Sequence, residues 1–267
     1  MTEISVGEIL IAAISAVLAL ASWIGPAIQL KRFRQVLPGQ FGWALLVTAT
    51  VCLLFVLLTL RTLASHDVRE NPAYITIYGL MGAAWIGVSH RVFLPGISLR
   101  DDFFERENDA AAIAVLGFVL GSTFCFSGAN IGDGPGWWVV IVCALLANGA
   151  LAFLWIVADG VTNIADKITI DRDSDAAFRA AGLFVGSGLV FGNAVAGDWQ
   201  NVGMTLRDFA VRGWPALLIL AAFVFNEIRA IRSEYSGNSR LNMREVWSAI
   251  VFAAMGLLLI LAQRKIP

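Results

Sequence analysis

The sequence predicts an all-α polytopic membrane protein of about eight transmembrane helices arranged as repeated two-helix hairpins. Three observations carry that expectation. Hydrophobic residues make up 58% of the 267 and charged residues only 15%, against roughly 45–50% and 25% in soluble domains, and mean hydropathy is +0.74. A soluble fold has too little polar surface to cover so much apolar mass. Eight apolar runs approach the ~20 residues that a helix needs to cross a bilayer. One of these runs also repeats another at a fixed offset.

The expected spans are 9–28, 42–60, 74–92, 110–126, 137–157, 176–196, 214–228 and 246–262. They leave no room for a separate soluble domain. The chain reads as one integral membrane unit, with a first hairpin (1–72), a core (73–200) and a last hairpin (201–267). Glu3 and Glu8 precede the first span and the first lysine is Lys31, so the start does not read as a cleaved signal. Positive charge is retained in the cytoplasm. Thirteen of the nineteen Lys and Arg fall in the loops after the odd spans or at the start of span six. Both termini are therefore expected on the periplasmic side. Trp43, Trp137, Trp138, Trp199, Trp214 and Trp247 lie near span ends, where an amphipathic ring suits the headgroup level. Pro26 and Pro215 read as packing irregularities rather than kinks.

Composition also excludes several functions. A net charge of −1 lacks the basic stripe of a nucleic-acid binder. Cys52, Cys125 and Cys143 sit inside apolar runs, where cysteine is a small packing residue. The only histidines, His66 and His90, are expected on opposite membrane faces and cannot share a haem. No zinc pattern, metal site, cofactor motif or catalytic triad is present, and the loop 127–136 lacks the Gly-Lys-Ser/Thr ending of a phosphate cradle. The chain does not read as an enzyme.

The repeat appears at a shift of 65. Residues 108–133 read NDAAAIAVLGFVLGSTFCFSGANIGD, and residues 173–198 read DSDAAFRAAGLFVGSGLVFGNAVAGD. Ala111/Ala176, Gly117/Gly182, Gly121/Gly186 and Asp133/Asp198 are among the identities. Both copies run the same way, as in parallel transporter repeats. Gly117 with Gly121, and Gly182 with Gly186, form small-xxx-small faces that let helix backbones approach closely. Such a face serves packing inside one chain or a homo-oligomer seam, and the first is the more ordinary use. Asp133 and Asp198 either close outer turns or attract cations at a vestibule, the turn role being the safer expectation.

Residues 74–199 resemble the YjfL-like inner-membrane family. The likeness lies in a first helix, a polar loop, then Asn108-Asp109-Ala110-Ala111 opening a helix with Gly117 and Gly121. The second copy departs from that pattern with Asp173 for Asn and Asp175 for Ala, and keeps Asn193 late in its helix. The resemblance implies a multi-pass bacterial inner-membrane protein, and it implies no particular activity, substrate or catalytic residue.

Candidate polar sites are few. Arg179 lies about one turn inside span six, and Asp175 four residues earlier shares its helix face, so the two can pair. Their counterparts in the first copy are Ala114 and Ala110. An interfacial snorkelling pair is the ordinary reading, and a charged wall of a cytoplasmic cavity is the functional one. Gln29, His90, Asp159 and Glu227 close the odd spans at one level, an arrangement that would suit a cation or proton site if they converged. Asn148, near the centre of span five, is expected to hydrogen-bond between helices. Three functions follow: a small transporter or channel for ions or small cations, a structural or membrane-stress protein docking a cytoplasmic partner through the acidic stretch 99–109, and, with least support, an intramembrane enzyme. Membrane lipid is the expected surround.

Overall fold

The computed structural model describes residues 4–33, 40–234 and 243–263, with side chains described for 4–23, 44–230 and 249–262. All regular structure among them is helical: α1 (Val6–Phe33), α2 (Gln40–Thr62), α3 (His66–Glu70), α4 (Pro72–Phe93), a π-helical turn (Leu99–Glu105), α5 (Asp109–Ala129), α6 (Trp137–Thr162), α7 (Ile164–Thr169), α8 (Ser174–Val195), α9 (Val202–Gly213), α10 (Ala216–Glu234) and α11 (Met243–Gln263). Each expected span coincides with one of the eight long helices. Five helices (α1, α2, α5, α6 and α8) are long and apolar enough to cross a membrane, and a sixth crossing results if α9 and α10 count as one bent span.

That bend corrects the expectation for Pro215. Trp214 and Pro215 separate α9 from α10, and the two axes meet at 41°. Proline has no N–H to donate and its ring clashes with the preceding turn, so the helix stops at Gly213 and restarts at Ala216. Pro26 lies within the continuous α1, where its side chain falls outside the described residues.

The helices sort by what their side chains face. α5 and α8 form the interior: Ala111, Ala112, Ala176, Ala177, Phe118 and Phe184 are fully buried. α1, α2, α6, α10 and α11 turn large apolar side chains outward, among them Ile9, Leu54, Leu58, Phe153, Phe225 and Leu258. Contiguous exposed apolar surface of this kind marks contact with lipid or protein.

The interior is built on glycine. A Cβ at Gly117 would overlap Ala181, and one at Gly121 would overlap the carbonyl of Phe184. One helix further on, a Cβ at Gly182 would overlap Ala249 of α11, and one at Gly186 the carbonyl of Phe252. α5 thus packs on α8 as α8 packs on α11, backbone against backbone. These faces are occupied inside the chain, so a seam between two copies would have to use others.

The two copies, offset by 65 residues, share backbone geometry beyond their identities. Asn108 caps α5, its Oδ1 accepting from the N–H groups of Ala110 (3.0 Å) and Ala111 (3.4 Å). Asp173 caps α8, accepting from Asp175 (2.8 Å) and Ala176 (3.1 Å). The residue before each cap, Glu107 and Arg172, has positive φ (54° and 56°). At the opposite end the turns after α5 and α8 lie side by side. Gly197 N–H donates to Ile131 O (2.9 Å), Trp199 N–H to Asp133 O (2.8 Å) and Asp133 N–H to Asp198 Oδ1 (2.9 Å). Asp198 therefore closes the turn, as expected. Gly132 is at φ 106°, and a Cβ there would strike the backbone of Gly197.

The Asn108 amide also donates to the carbonyls of Ile168 (2.8 Å) and Thr169 (3.4 Å), tying the start of α5 to α7. Asn108→Ala removes a cap worth ~1 kcal/mol and strips a buried carbonyl of its donor at a cost of ~1–3 kcal/mol. We expect a loss of about 2 kcal/mol in the denaturation midpoint analysis of detergent-solubilised protein. Asn108→Asp keeps the cap acceptor but sets a buried carboxylate oxygen against the Ile168 carbonyl, and should recover none of it.

Candidate functional site: a buried charge cluster at the capped ends of the inner helices

The second copy departs from the first at two positions that act together. Where α5 begins with Asn108 and carries Ala114, α8 begins with Asp173 and carries Arg179. Arg179 is among the largest fully enclosed side chains, only 2% exposed. Its guanidinium reaches Glu227 of α10, with Nε donating to Oε1 and Nη2 to Oε2 (3.2 Å), a two-point fork that suits a carboxylate. Asp173 Oδ2 lies 4.0 Å from Nη2. An aspartate cap can face a guanidinium here, where the asparagine cap of the first copy instead donates to carbonyls.

Glu227 has no exposed surface, and Oε2 also lies 3.7 Å from Lys167 Nζ on α7. The cluster therefore holds Arg179 and Lys167 against Glu227 and Asp173. Uncompensated burial of any one of these charges would cost several kcal/mol. Asp175 is half-buried on the first turn of α8, but the partner that fixes Arg179 is Glu227, 48 residues away. Arg179 is thus held by a buried pair between helices, beyond the Asp175–Arg179 pairing that the local spacing predicts.

The other expected sites are dispersed. Asp159 Oδ1 accepts from Ala165 N–H (2.8 Å), closing the turn between α6 and α7. His90 is buried on α4 with neither ring nitrogen hydrogen-bonded. The side chain of Gln29 falls outside the described residues. Among the described residues, no three His, Cys, Asp or Glu are placed to hold a metal ion. Asn148 is fully buried, but its amide donates to Ala144 O of its own helix (2.9 Å) and its Oδ1 has no partner. The expected interhelical bond is absent. Asn193 stands half-buried on the last turn of α8.

The acidic stretch 99–109 is partly neutralised locally, its two arginines pairing with three of its five carboxylates. Buried Asp102 accepts from Ser98 N–H (2.7 Å) and pairs with Arg106 (3.2 Å). Arg100 lies 3.3 Å from Glu105 and 3.9 Å from Asp101. It offers a partner less negative charge than its composition suggests.

Sequence reasoning did not single out Lys167, because a lysine in a polar loop looks like a topology signal. Comparison with protein-family models, with curated proteins and with solved structures finds no match for this chain.

Proposed function

We propose that this is a multi-pass membrane protein of eight crossings in four hairpins that passes ions or small cations, as a small transporter or channel. The carrying observation is Glu227, fully buried and shared between Arg179 and Lys167. Ionisable groups inside helical membrane bundles are costly and mark ion or proton pathways. A carboxylate within reach of two cations has two pairing arrangements. Moving Glu227 from the guanidinium to the ammonium would open the cluster without stranding a charge. The helix that carries it begins at the 41° bend, a natural hinge.

The fourth hairpin, α10–α11, is on this reading a diverged copy, supported by the way Gly186 and Gly256 repeat the packing of Gly121 and Gly188. Kinship with the YjfL-like family, a bacterial inner-membrane location and periplasmic termini belong to the same proposal, supported by the Asn108 motif and the charge bias. No catalytic role is proposed.

The test is flux of potassium, protons and polyamines into proteoliposomes at matched incorporation. We expect measurable flux of one of these in the wild type, altered at least fivefold by Lys167→Ala, which leaves the Arg179–Glu227 pair intact. No flux of any of the three with folded protein would overturn the reading in favour of a docking protein. The pull-down partner of that protein should then be lost on neutralising Asp101, Asp102, Glu105 and Glu107.

A further inference from the structure

His90 lies where an apolar cleft meets one that carries charged groups. On one side is an apolar cleft of about 80 Å³ between α1, α2, α4 and α5, lined by Trp23, Leu45, Ala49, Ile86 and Val119 among others. On the other is a wider cleft of about 810 Å³ with a mixed lining, where Arg91, Arg100, Asp101 and Arg106 stand beside Ile97 and Phe104. His90 and Leu99 line both. A cavity that is apolar at one end and carries charged groups at the other suits an amphiphile.

Two polar features at the junction point to what its head carries. The His90 ring is 94% enclosed, and neither nitrogen has a hydrogen-bond partner. Buried polar groups in folded proteins are nearly always satisfied, so an imidazole left open at a cleft is an unfilled valence for a ligand. In the wider cleft, Arg100 is matched by Asp101 and Glu105, and Arg106 by Asp102. Arg91 has no carboxylate within 4.0 Å among the described residues. Arg91, Arg100 and Arg106 are balanced in number by Asp101, Asp102 and Glu105, and Arg91 is left as the guanidinium without a close carboxylate, beside an open imidazole at the end of a helix. A cation placed between membrane helices at this level suits an anionic headgroup.

We propose that this junction binds one anionic membrane phospholipid, with an acyl chain entering the apolar cleft and the phosphate held by Arg91 and His90. The site lies on the α1–α5 side and does not involve the Arg179 cluster, so it stands whether or not the protein transports ions.

The experiment is native mass spectrometry of the full chain in detergent, titrated with phosphatidylglycerol and, separately, with phosphatidylcholine of the same acyl chains. One phosphatidylglycerol should be retained at a concentration at least tenfold below that needed for phosphatidylcholine. Arg91→Ala should abolish that tenfold preference. Ala49→Phe, which fills the apolar cleft, should weaken retention of both lipids. Equal retention of the two lipids by the wild type would overturn the proposal, as would unchanged phosphatidylglycerol retention in both variants. A further arm adds millimolar inorganic phosphate. Complete displacement of the lipid by phosphate would show an anion site without a chain-binding role and would also overturn it. Arg91 is exposed, so its variant tests the headgroup contact even if His90→Leu does not fold.

Discussion

Gly121→Ala and Gly186→Ala are each expected to separate the interior helices and leave little folded protein. The added methyl at either position meets a main-chain carbonyl, of Phe184 or of Phe252, and main chain held in a helix cannot swing aside as a side-chain tip can. Overpacking in cores costs ~1–3 kcal/mol even where side chains give way. Here a whole helix must move, so the loss should reach the upper end, about 3 kcal/mol or more. The built-in control is Gly149→Ala or Gly160→Ala on α6, where a Cβ meets nothing within 4 Å. Those variants should be neutral or slightly stabilising, since alanine is the better helix former by up to ~1 kcal/mol. Monodisperse yield in gel filtration and the thermal midpoint of each variant measure the contrast. Similar behaviour of all four variants would contradict the close-packed interior.

Arg179→Ala should destabilise by about 3–5 kcal/mol, because it leaves Glu227 ionised and enclosed, with Lys167 at 3.7 Å beside it. Glu227→Leu should cost a similar amount for the reciprocal reason. The double variant Arg179→Met/Glu227→Leu removes both charges while keeping volume, and should recover most of the loss, as isosteric apolar replacements of buried ion pairs often do. Denaturant titration of the three variants forms a double-mutant cycle, and additive losses would show that the two side chains do not act as a pair. The cycle also separates structure from transport. If the double variant folds but carries no flux, the charges serve passage rather than stability.

The helices were largely legible in the sequence, and the charge cluster only in part. Eight apolar runs found the eight long helices because length and apolarity are local properties. α9 was missed because Arg207, Asp208 and Arg212 make it amphipathic and short, so it read as a polar loop before a span. Arg179 stood out because arginine inside an apolar run is rare. Its partner did not, because local spacing favours Asp175 at four residues over Glu227 at 48, and only the fold brings α10 against α8. The Asn108 motif was visible as a repeated pattern, but its role as a helix cap needed the geometry. Asn148 illustrates the converse: a polar residue at mid-span suggested a bond between helices, and its amide instead turns back one turn along α6.

The distance along the chain between Arg179 and Glu227 sets a schedule for biosynthesis. Ribosomes add roughly 5–20 residues per second, so about 2–10 s pass between emergence of the arginine and emergence of the glutamate 48 residues later. During that interval α8, the least apolar of the five clear crossings, must stay in place with its guanidinium lacking the carboxylate that later encloses it. Insertion scales put an arginine at a helix centre at ~2.5–3.5 kcal/mol, an upper figure for Arg179 about one turn from the helix start. What is already made by then is α5, with Gly117, Gly121 and Gly128 facing the incoming helix. The glycine face therefore serves as a docking rail for a nascent helix that the lipid alone would hold poorly, and mutations there should raise degradation during synthesis before they are seen as loss of activity.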